Sequence, residues 1–202
     1  MIIILDRQHV GKPNRHDLGA GVDLDGDGEI SPDEREANLT PIYIDAAAEY
    51  ATARGHSVYV IETGHYTDRH RRACDIARSS PDQKVAYVAA HLNAGGGSYS
   101  VCLHDQRSRG GLALASAVAE NLGSAADQWL SRSLVKPCSP QGSWSRAFGT
   151  IGGIYAGPAW LSGICFEPCF MDYEGHRELL TPQGLALIGR ALAQGCIDWA
   201  RV

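Results

Sequence analysis

Short apolar runs alternate with helical spacing along the first half of the chain. Met1–Asp6, Ser57–Glu62 and Val85–His91 are rich in β-branched residues and short enough to be buried strands. Arg35–Arg54 carries apolar residues at helical spacing and is followed by a glycine, and a basic segment at Asp68–Arg78 reads as a second helix. This alternation of strand and helix predicts an α/β fold.

The second half continues the alternation with one interruption. Ser98–His104 and Gly163–Glu167 predict strands, Arg109–Leu122 predicts a helix, and Thr181–Arg201 has one apolar face, as an amphipathic helix requires. The segment Ser131–Ser162, between the third helix and the last strand, is interrupted by prolines and glycines. We expect it to be an irregular loop near a substrate. Aromatic residues in this loop either border a sugar or peptide groove or anchor the loop, namely Trp144, Tyr155 and Trp160.

No repeat or linker divides the chain. We therefore expect one domain over residues 1–202, with a twisted, mostly parallel sheet of about five to six strands flanked by helices. A hydrophobic fraction of 44% and a charged fraction of 20% in 202 residues agree with a single globular core.

Charge and hydropathy exclude several classes of partner. A net charge of -5 gives no basic surface for a polyanion, so no nucleic-acid partner is expected. No apolar run approaches the roughly 18 residues that span a bilayer, so no membrane insertion is expected. The N-terminus lacks the basic and apolar regions of a signal peptide, and the six cysteines are expected to be reduced. We expect a monomer.

An acidic run between the first strand and the first helix matches the EF-hand calcium loop. Counted from Asp23, the loop covers residues 23–34 and has acidic, glycine and apolar residues at the expected positions. The predicted calcium ligands are Asp23, Asp25, Asp27, Glu29 and Glu34. Since no clear helix precedes Asp23 and no second hand follows, a structural calcium loop inserted after strand one is expected rather than a calcium sensor.

A second constellation is dispersed along the sequence. His9 follows the first strand, His91 closes the third predicted strand and Glu167 closes the last one. Because ligands gather at the carboxyl ends of strands in open α/β sheets, these side chains are expected to converge on one crevice. Imidazole and carboxylate are zinc ligands, and a third protein ligand is expected from an acid near the start of the first helix.

These residues carry a resemblance to a known family. The histidine after ILDRQ, the segment Ala89–Ala94 (AAHLNA) and the segment Phe166–Asp172 (FEPCFMD) resemble motifs of the zinc-dependent N-acetylmuramoyl-L-alanine amidases of the amidase-3 type. Arg69–Ala73 (RHRRA) stands where that family has an arginine-rich helix. The usual G-H-G-G is replaced by Gln8 to Gly11, and the calcium-like run is not a general feature of the family.

The resemblance implies a ligand set and a catalytic residue. In the family a glutamate before the helix stands about nineteen residues ahead of the glycine that ends the helix, and counting back from Gly55 selects Glu36. Glu34 instead fits a looser E-x-x-x-N pattern with Asn38. We choose Glu36, because Glu34 is already assigned to the calcium loop. Zinc is then expected on His9, Glu36 and His91, with Glu167 as the catalytic acid and base.

The implied activity is hydrolysis of the amide bond between N-acetylmuramic acid and L-alanine in peptidoglycan. Phage endolysins of this family commonly lack a signal peptide, so we expect a bacteriolytic enzyme made in the cytoplasm of a host cell that degrades the cell wall after release. Two alternatives stay open at this point. One is a zinc peptidase that acts on cell-wall peptides, and the other is a non-enzymatic, calcium-dependent cell-wall binding module.

Overall fold

The computed structural model describes residues 1–11 and 17–202; residues 12–16, within the turn-rich stretch after His9, lie outside the described residues. The described residues form six strands, β1 (Ile2–Arg7), β2 (Ser57–Ile61), β3 (Val85–Ala90), β4 (Ser100–Asp105), β5 (Ser133–Cys138) and β6 (Leu161–Glu167). They also form five α-helices, α1 (Glu36–Thr52), α2 (Tyr66–Arg78), α3 (Arg109–Ala125), α4 (Ser145–Ile151) and α5 (Pro182–Arg201). Short 3₁₀ helices cover Pro32–Glu34, Ile154–Ala156 and Glu174–Leu180.

The six strands form one sheet in the order β2-β1-β3-β6-β4-β5. Strands β2, β1, β3 and β6 run parallel, and β5 runs parallel to β4. Only the β4–β6 pair is antiparallel within the described part of the chain. β4 follows β3 along the chain through a connection that contains no helix. A parallel course of β3 and β4 would need a crossover connection of about a dozen residues or more, so β4 runs opposite to β3 and to its neighbour β6. The prediction of one α/β domain with a mostly parallel sheet is confirmed.

Helices cover both faces of the sheet, which explains why the central strands are continuous apolar runs. In β1, Ile3 and Leu5 face the core beneath α1, α3 and α5, whereas Ile2 and Ile4 face the core beneath α2 and α4. Every residue of β3 is buried. None of the helices in the described ranges is long and apolar enough to cross a membrane.

The segment expected to be an irregular loop is more ordered than the sequence indicates. Residues 131–162 contain β5, α4, a 3₁₀ helix and the start of β6, so the expectation of a continuous loop is wrong. Pro137 breaks the apolar pattern but lies in β5, an edge strand that pairs only with β4, where a missing amide hydrogen is tolerated. Helix α4 has seven residues, too few to show a clear helical period.

The aromatic residues of this segment are anchors for the most part. The Trp160 indole donates to the Ala77 carbonyl at 2.9 Å, and the Trp160 carbonyl accepts from Val85 N at the beginning of β3. Trp160 therefore lies at the amino edge of β6, about 20 Å along the strand from its carboxyl end. The Tyr155 ring packs against Arg107, which follows the end of the antiparallel strand β4. These contacts favour the anchor interpretation for both residues.

Candidate active site

The carboxyl ends of three neighbouring parallel strands bring the dispersed residues together. His9 lies two residues after β1, His91 directly follows β3, and Glu167 is the last residue of β6. The pairing of Arg7 with Ala90 and of Ala90 with Phe166 places the three strand ends side by side. The expected convergence at one edge of the sheet is therefore present.

Glu36, the first residue of α1, completes a cluster with the two histidines. Its Oε1 atom lies 2.9 Å from Nδ1 of His91 and 3.2 Å from Nε2 of His9, and the two ring nitrogens are 3.2 Å apart. Ligands about 2.0–2.1 Å from a tetrahedral zinc ion lie about 3.3–3.4 Å from one another. The separations of these two imidazole nitrogens and one carboxylate oxygen suit a zinc ion, and both donor types are common zinc ligands.

The carboxylate of Glu36 is held rigidly. It is 4% exposed, its Oε1 atom also accepts from Leu92 N at 3.0 Å, and its Oε2 atom accepts from Ala20 N at 3.2 Å. Burial raises the pKa of Glu36, but hydrogen bonds and charge from His9 and His91 outweigh burial and hold the pKa well below its ordinary value. Glu36 is therefore an ionised acceptor in the cluster.

Gly19 allows the chain to pass close to this carboxylate. Its φ is +72°, and a Cβ atom there would lie 2.4 Å from Oε2 of Glu36. Only glycine fits such an approach, because any larger residue would displace the carboxylate.

Asp17 orients the ring of His9 and is not among the site residues that the sequence predicts. One carboxylate oxygen of Asp17 lies 3.0 Å from Nδ1 of His9 and also accepts from Gly19 N at 3.2 Å. When Nδ1 donates to this carboxylate, Nε2 is left as the free nitrogen that faces Glu36 and His91. Asp17 lies eight residues after His9. This separation belongs to no motif or helical or strand period, so the sequence alone does not indicate that the two side chains meet.

His91 is fixed through its backbone. Its amide donates to the Phe166 carbonyl at 3.0 Å, and its carbonyl accepts from the hydroxyl of Tyr43 at 2.9 Å. Tyr43 is fully buried in α1 and packs edge to face on Phe166. The same helix thus provides Glu36 and a support for His91.

Glu167 has the properties of a proton acceptor near neutral pH. Burial raises its pKa to about 7, and the charge of His91 opposes this effect. A general base works best when its pKa is close to the working pH, because it can then both take up and release a proton. Its carboxylate accepts from the thiol of Cys165, whose Sγ atom lies 3.9 Å from Oε1.

The acidic run from Asp23 to Glu34 forms a compact loop. The Asp23 carboxylate accepts from Gly26 N at 2.6 Å and from Gly28 N at 2.9 Å. Oxygen atoms of Asp23, Asp25 and Asp27 lie within 4.8 Å of one another.

Glu34 has a different environment from these three aspartates. It is 6% exposed, and its oxygens accept from the amides of Leu24, Asp25 and Ser31. The carboxylate therefore stabilises the loop from inside through backbone amides, and its assignment as a calcium ligand stays a prediction.

The loop is attached to the body of the domain. The guanidinium group of Arg177 donates to the Leu24 carbonyl at 3.1 Å and to the Asp23 carbonyl at 3.2 Å. Arg177 belongs to the 3₁₀ helix Glu174–Leu180, which precedes α5. The first turn of the loop is thus connected to the C-terminal part of the fold.

Comparison with solved structures identifies the same architecture elsewhere. The N-acetylmuramoyl-L-alanine amidase AmiC2 of Nostoc punctiforme superimposes with a TM-score of 0.71 at 14% identity, over 100% of this chain and 98% of that chain. The catalytic domain of the amidase CwlV from Bacillus (Paenibacillus) polymyxa gives 0.69 at 13% identity, over 100% and 98%. The catalytic domain of an endolysin targeting Clostridia Difficile gives 0.63 at 16% identity, over 98% and 97%.

The chain has the fold of these amidase domains. No family model matches the sequence, and no curated protein matches it. At identities of 13–16% the likeness concerns the fold, and the chemistry has to be argued from the residues of this chain.

The environment of Glu34 predicts a specific acid sensitivity. Hydrogen bonds from the Ser31 and Leu24 amides lower the pKa of Glu34 from its ordinary value of 4.5 to about 2. The unfolded chain therefore takes up this proton first, and the contribution of Glu34 to the free energy of unfolding is lost as the pH falls from about 4.5 to about 2. We expect Glu34→Gln to be less stable than wild type at about pH 6 and closer to it at about pH 3.

Urea unfolding in calcium-free buffer measures this effect, with substitution of the exposed Glu120 by Gln as the control. The difference between wild type and Glu34→Gln should shrink on acidification, whereas Glu120→Gln should follow wild type. A stability difference for Glu34→Gln that is the same at both pH values would contradict the assignment.

Proposed function

We propose that the protein is a zinc-dependent N-acetylmuramoyl-L-alanine amidase that hydrolyses the bond between N-acetylmuramic acid and L-alanine in peptidoglycan. The observation that carries this proposal is the cluster of His9, Glu36 and His91, whose ligand atoms lie 2.9–3.2 Å apart beside Glu167. The shared fold with solved amidase domains supports the same activity.

In this proposal His9, Glu36 and His91 hold the zinc ion and leave one position open for water or substrate. When bound, zinc supplies a Lewis acid that polarises the scissile carbonyl and makes a nucleophile available at neutral pH. Asp17 keeps the Nε2 atom of His9 directed at the site through its contact with Nδ1.

Glu167 carries the proton transfers. With a pKa of about 7, its carboxylate form accepts a proton from the attacking water. The resulting carboxylic acid then donates that proton to the leaving nitrogen of L-alanine. Its position at the end of β6, which pairs with the strand that leads to His91, supports this role.

The activity is tested by digesting purified peptidoglycan and analysing the products by mass spectrometry. We expect stem peptides with a free L-alanine amino group and intact glycan strands. Cleavage inside the stem peptide would identify a zinc peptidase instead. Binding to the wall without cleavage, by protein loaded with zinc, would identify a binding module.

Glu167→Gln is the sharpest variant for the mechanism, since it keeps the shape of the side chain and removes the proton acceptor. We expect the rate of peptidoglycan hydrolysis to fall by about 10²- to 10⁴-fold, the usual contribution of a general acid or base. Zinc content should stay at the wild-type value, which controls for loss of the site. Near-normal turnover in this variant would show that another residue transfers the proton.

Glu36 and Glu34 provide a matched pair for the ligand set. Both are buried glutamates, two residues apart, but only Glu36 is part of the cluster with the histidines. We expect Glu36→Ala to lose zinc on dialysis against a weak chelator and Glu34→Ala to retain it, as measured by elemental analysis of the folded proteins. The opposite result would exchange the two assignments.

We further propose that the loop of residues 23–34 binds calcium. Asp23, Asp25 and Asp27 supply carboxylate oxygens that lie close together, and Glu29 and Glu34 complete the set expected from the sequence. Hard oxygen ligands and a short glycine-containing loop suit calcium rather than zinc. The loop lies between His9 and Glu36, so its order also affects how these two residues meet.

Calcium binding predicts a thermal shift. Free calcium at about 100 times its dissociation constant should add about 2.7 kcal/mol, because it binds only the folded state. For a domain of this size, the melting temperature should rise by roughly 5–10 °C. The double variant Asp25→Ala, Asp27→Ala should lose the shift, and Asp82→Ala on a distant exposed turn should keep it. An unchanged melting temperature in wild type would leave the run as an acidic turn.

The place of action stays a prediction from the sequence. We propose that the protein, like an endolysin, reaches the cell wall after release from the cell that makes it. The endolysin catalytic domain among the structures with this fold supports the proposal. Lysis assays with the protein added to intact cells and to isolated walls test it.

A further inference from the structure

The backbone of His9 is in an unusual conformation. Its φ is +64°, and no other non-glycine residue in the described ranges has a positive φ. The left-handed region brings Cβ too close to the following carbonyl oxygen, so a residue with a side chain occupies it only when its surroundings impose it. Something in the structure must therefore hold the turn that carries His9.

Arg69 is in a position to do so. It lies in α2 and is fully buried, and its Nη1 atom donates to the Arg7 carbonyl at 2.7 Å, while Nη2 donates to the Val10 carbonyl. These two carbonyls flank His9 on either side. The guanidinium group thus joins both ends of the turn, and its Nε atom donates to the Gly64 carbonyl at 2.7 Å.

The guanidinium group is itself anchored to the sheet. Nη1 also donates to the buried carboxylate of Asp6 in β1, which accepts in turn from the Tyr87 hydroxyl and from Gln8 Nε2 at 2.6 Å. Because Asp6 and Tyr87 belong to the central strands, the position of Arg69 is set by the core. The turn at His9 is therefore fixed relative to β1 and to β3, the strand that also leads to His91.

We propose that Arg69 is a positioning residue that clips the carbonyls on both sides of His9, imposes the left-handed conformation of His9, and thereby sets the affinity of the site for its metal ion. The link to metal affinity rests on the proposed function, because it requires His9 to be a ligand. The link to the conformation of His9 does not.

The planar fork of arginine is needed for this role. Its separate N–H groups reach three carbonyls and a carboxylate at once, whereas a lysine ammonium group is a point charge on a flexible stem. Arg69→Lys therefore keeps the charge opposite Asp6 but cannot hold the turn at both ends. A residue that served only to neutralise Asp6 would be replaced by lysine without effect on the metal site.

The first experiment measures zinc dissociation constants by chelator competition for wild type, Arg69→Lys and Arg72→Lys. Arg72 lies on the exposed side of the same helix and donates to Thr63, so it is a matched control. We expect Arg69→Lys to bind zinc about 10- to 100-fold more weakly, as is usual for residues that support a ligand. Wild-type affinity in a folded Arg69→Lys protein would overturn the proposal.

The second experiment needs neither zinc nor a folded Arg69 variant. In chelator, His9→Gly should melt about 2–8 °C above His9→Ala, because glycine adopts positive φ without strain. If His9→Ala is as stable as His9→Gly, the clip does not impose the conformation and the proposal is wrong. Where Arg69→Lys folds, the difference between the two position-9 variants should shrink in its background.

The two experiments separate the proposals. If wild type binds no zinc, the proposed function fails, and the comparison at position 9 still decides whether the turn is held in the left-handed conformation. If wild type binds zinc and Arg69→Lys binds it equally well, the function stands and the clip fails.

Discussion

The site depends on one buried arrangement, a glutamate oxygen in contact with two imidazole nitrogens from different parts of the chain. Glu36 comes from the start of α1, His9 from the turn after β1 and His91 from the end of β3. A buried carboxylate is costly unless it is paired, and here its partners are two histidines and two backbone amides. The packing of α1 on the sheet is therefore coupled to the geometry of the site.

His9 is the ligand candidate that needs the most support, because it lies in a turn rather than in a strand. Its ring is oriented by Asp17 and its backbone is bracketed by Arg69. The connection onward from this turn leads through the acidic loop, which Arg177 attaches to the C-terminal part of the fold. Several separate elements thus fix one imidazole, whereas His91 gains most of its order from the sheet itself.

Much of the fold follows from the sequence, because buried parallel strands are continuous apolar runs. The strands at Ile2–Arg7 and Val85–Ala90 and the helices at Glu36–Thr52 and Pro182–Arg201 lie close to their predicted positions. The strand at Ser133–Cys138 does not follow from the sequence pattern because it contains a proline, which its place at the sheet edge permits. The reversal of β4 was not predictable from a local pattern, since it depends on which strand it pairs with.

The candidate site was predictable only in part, for a related physical reason. His91 and Glu167 can be predicted from the sequence, because each stands where the apolar run of a buried strand ends. Asp17 and Arg69 act through bonds to residues that folding brings near, and no spacing in the sequence marks those bonds. Glu34 and Glu36 differ in what their carboxylates contact: that of Glu34 accepts from backbone amides of the acidic loop, and that of Glu36 contacts the histidines. This difference depends on tertiary packing and has no signal in the sequence.

The account is tested most directly by crystallography of the zinc-loaded protein, with anomalous difference maps recorded on either side of the zinc absorption edge. The account predicts one strong peak within about 2.0–2.2 Å of Nε2 of His9, Nδ1 of His91 and a carboxylate oxygen of Glu36. It also predicts that the fourth position opens towards Glu167. A zinc peak held by other residues, such as the acidic loop or the buried cysteines, or no peak at the His9, Glu36 and His91 cluster, would contradict it.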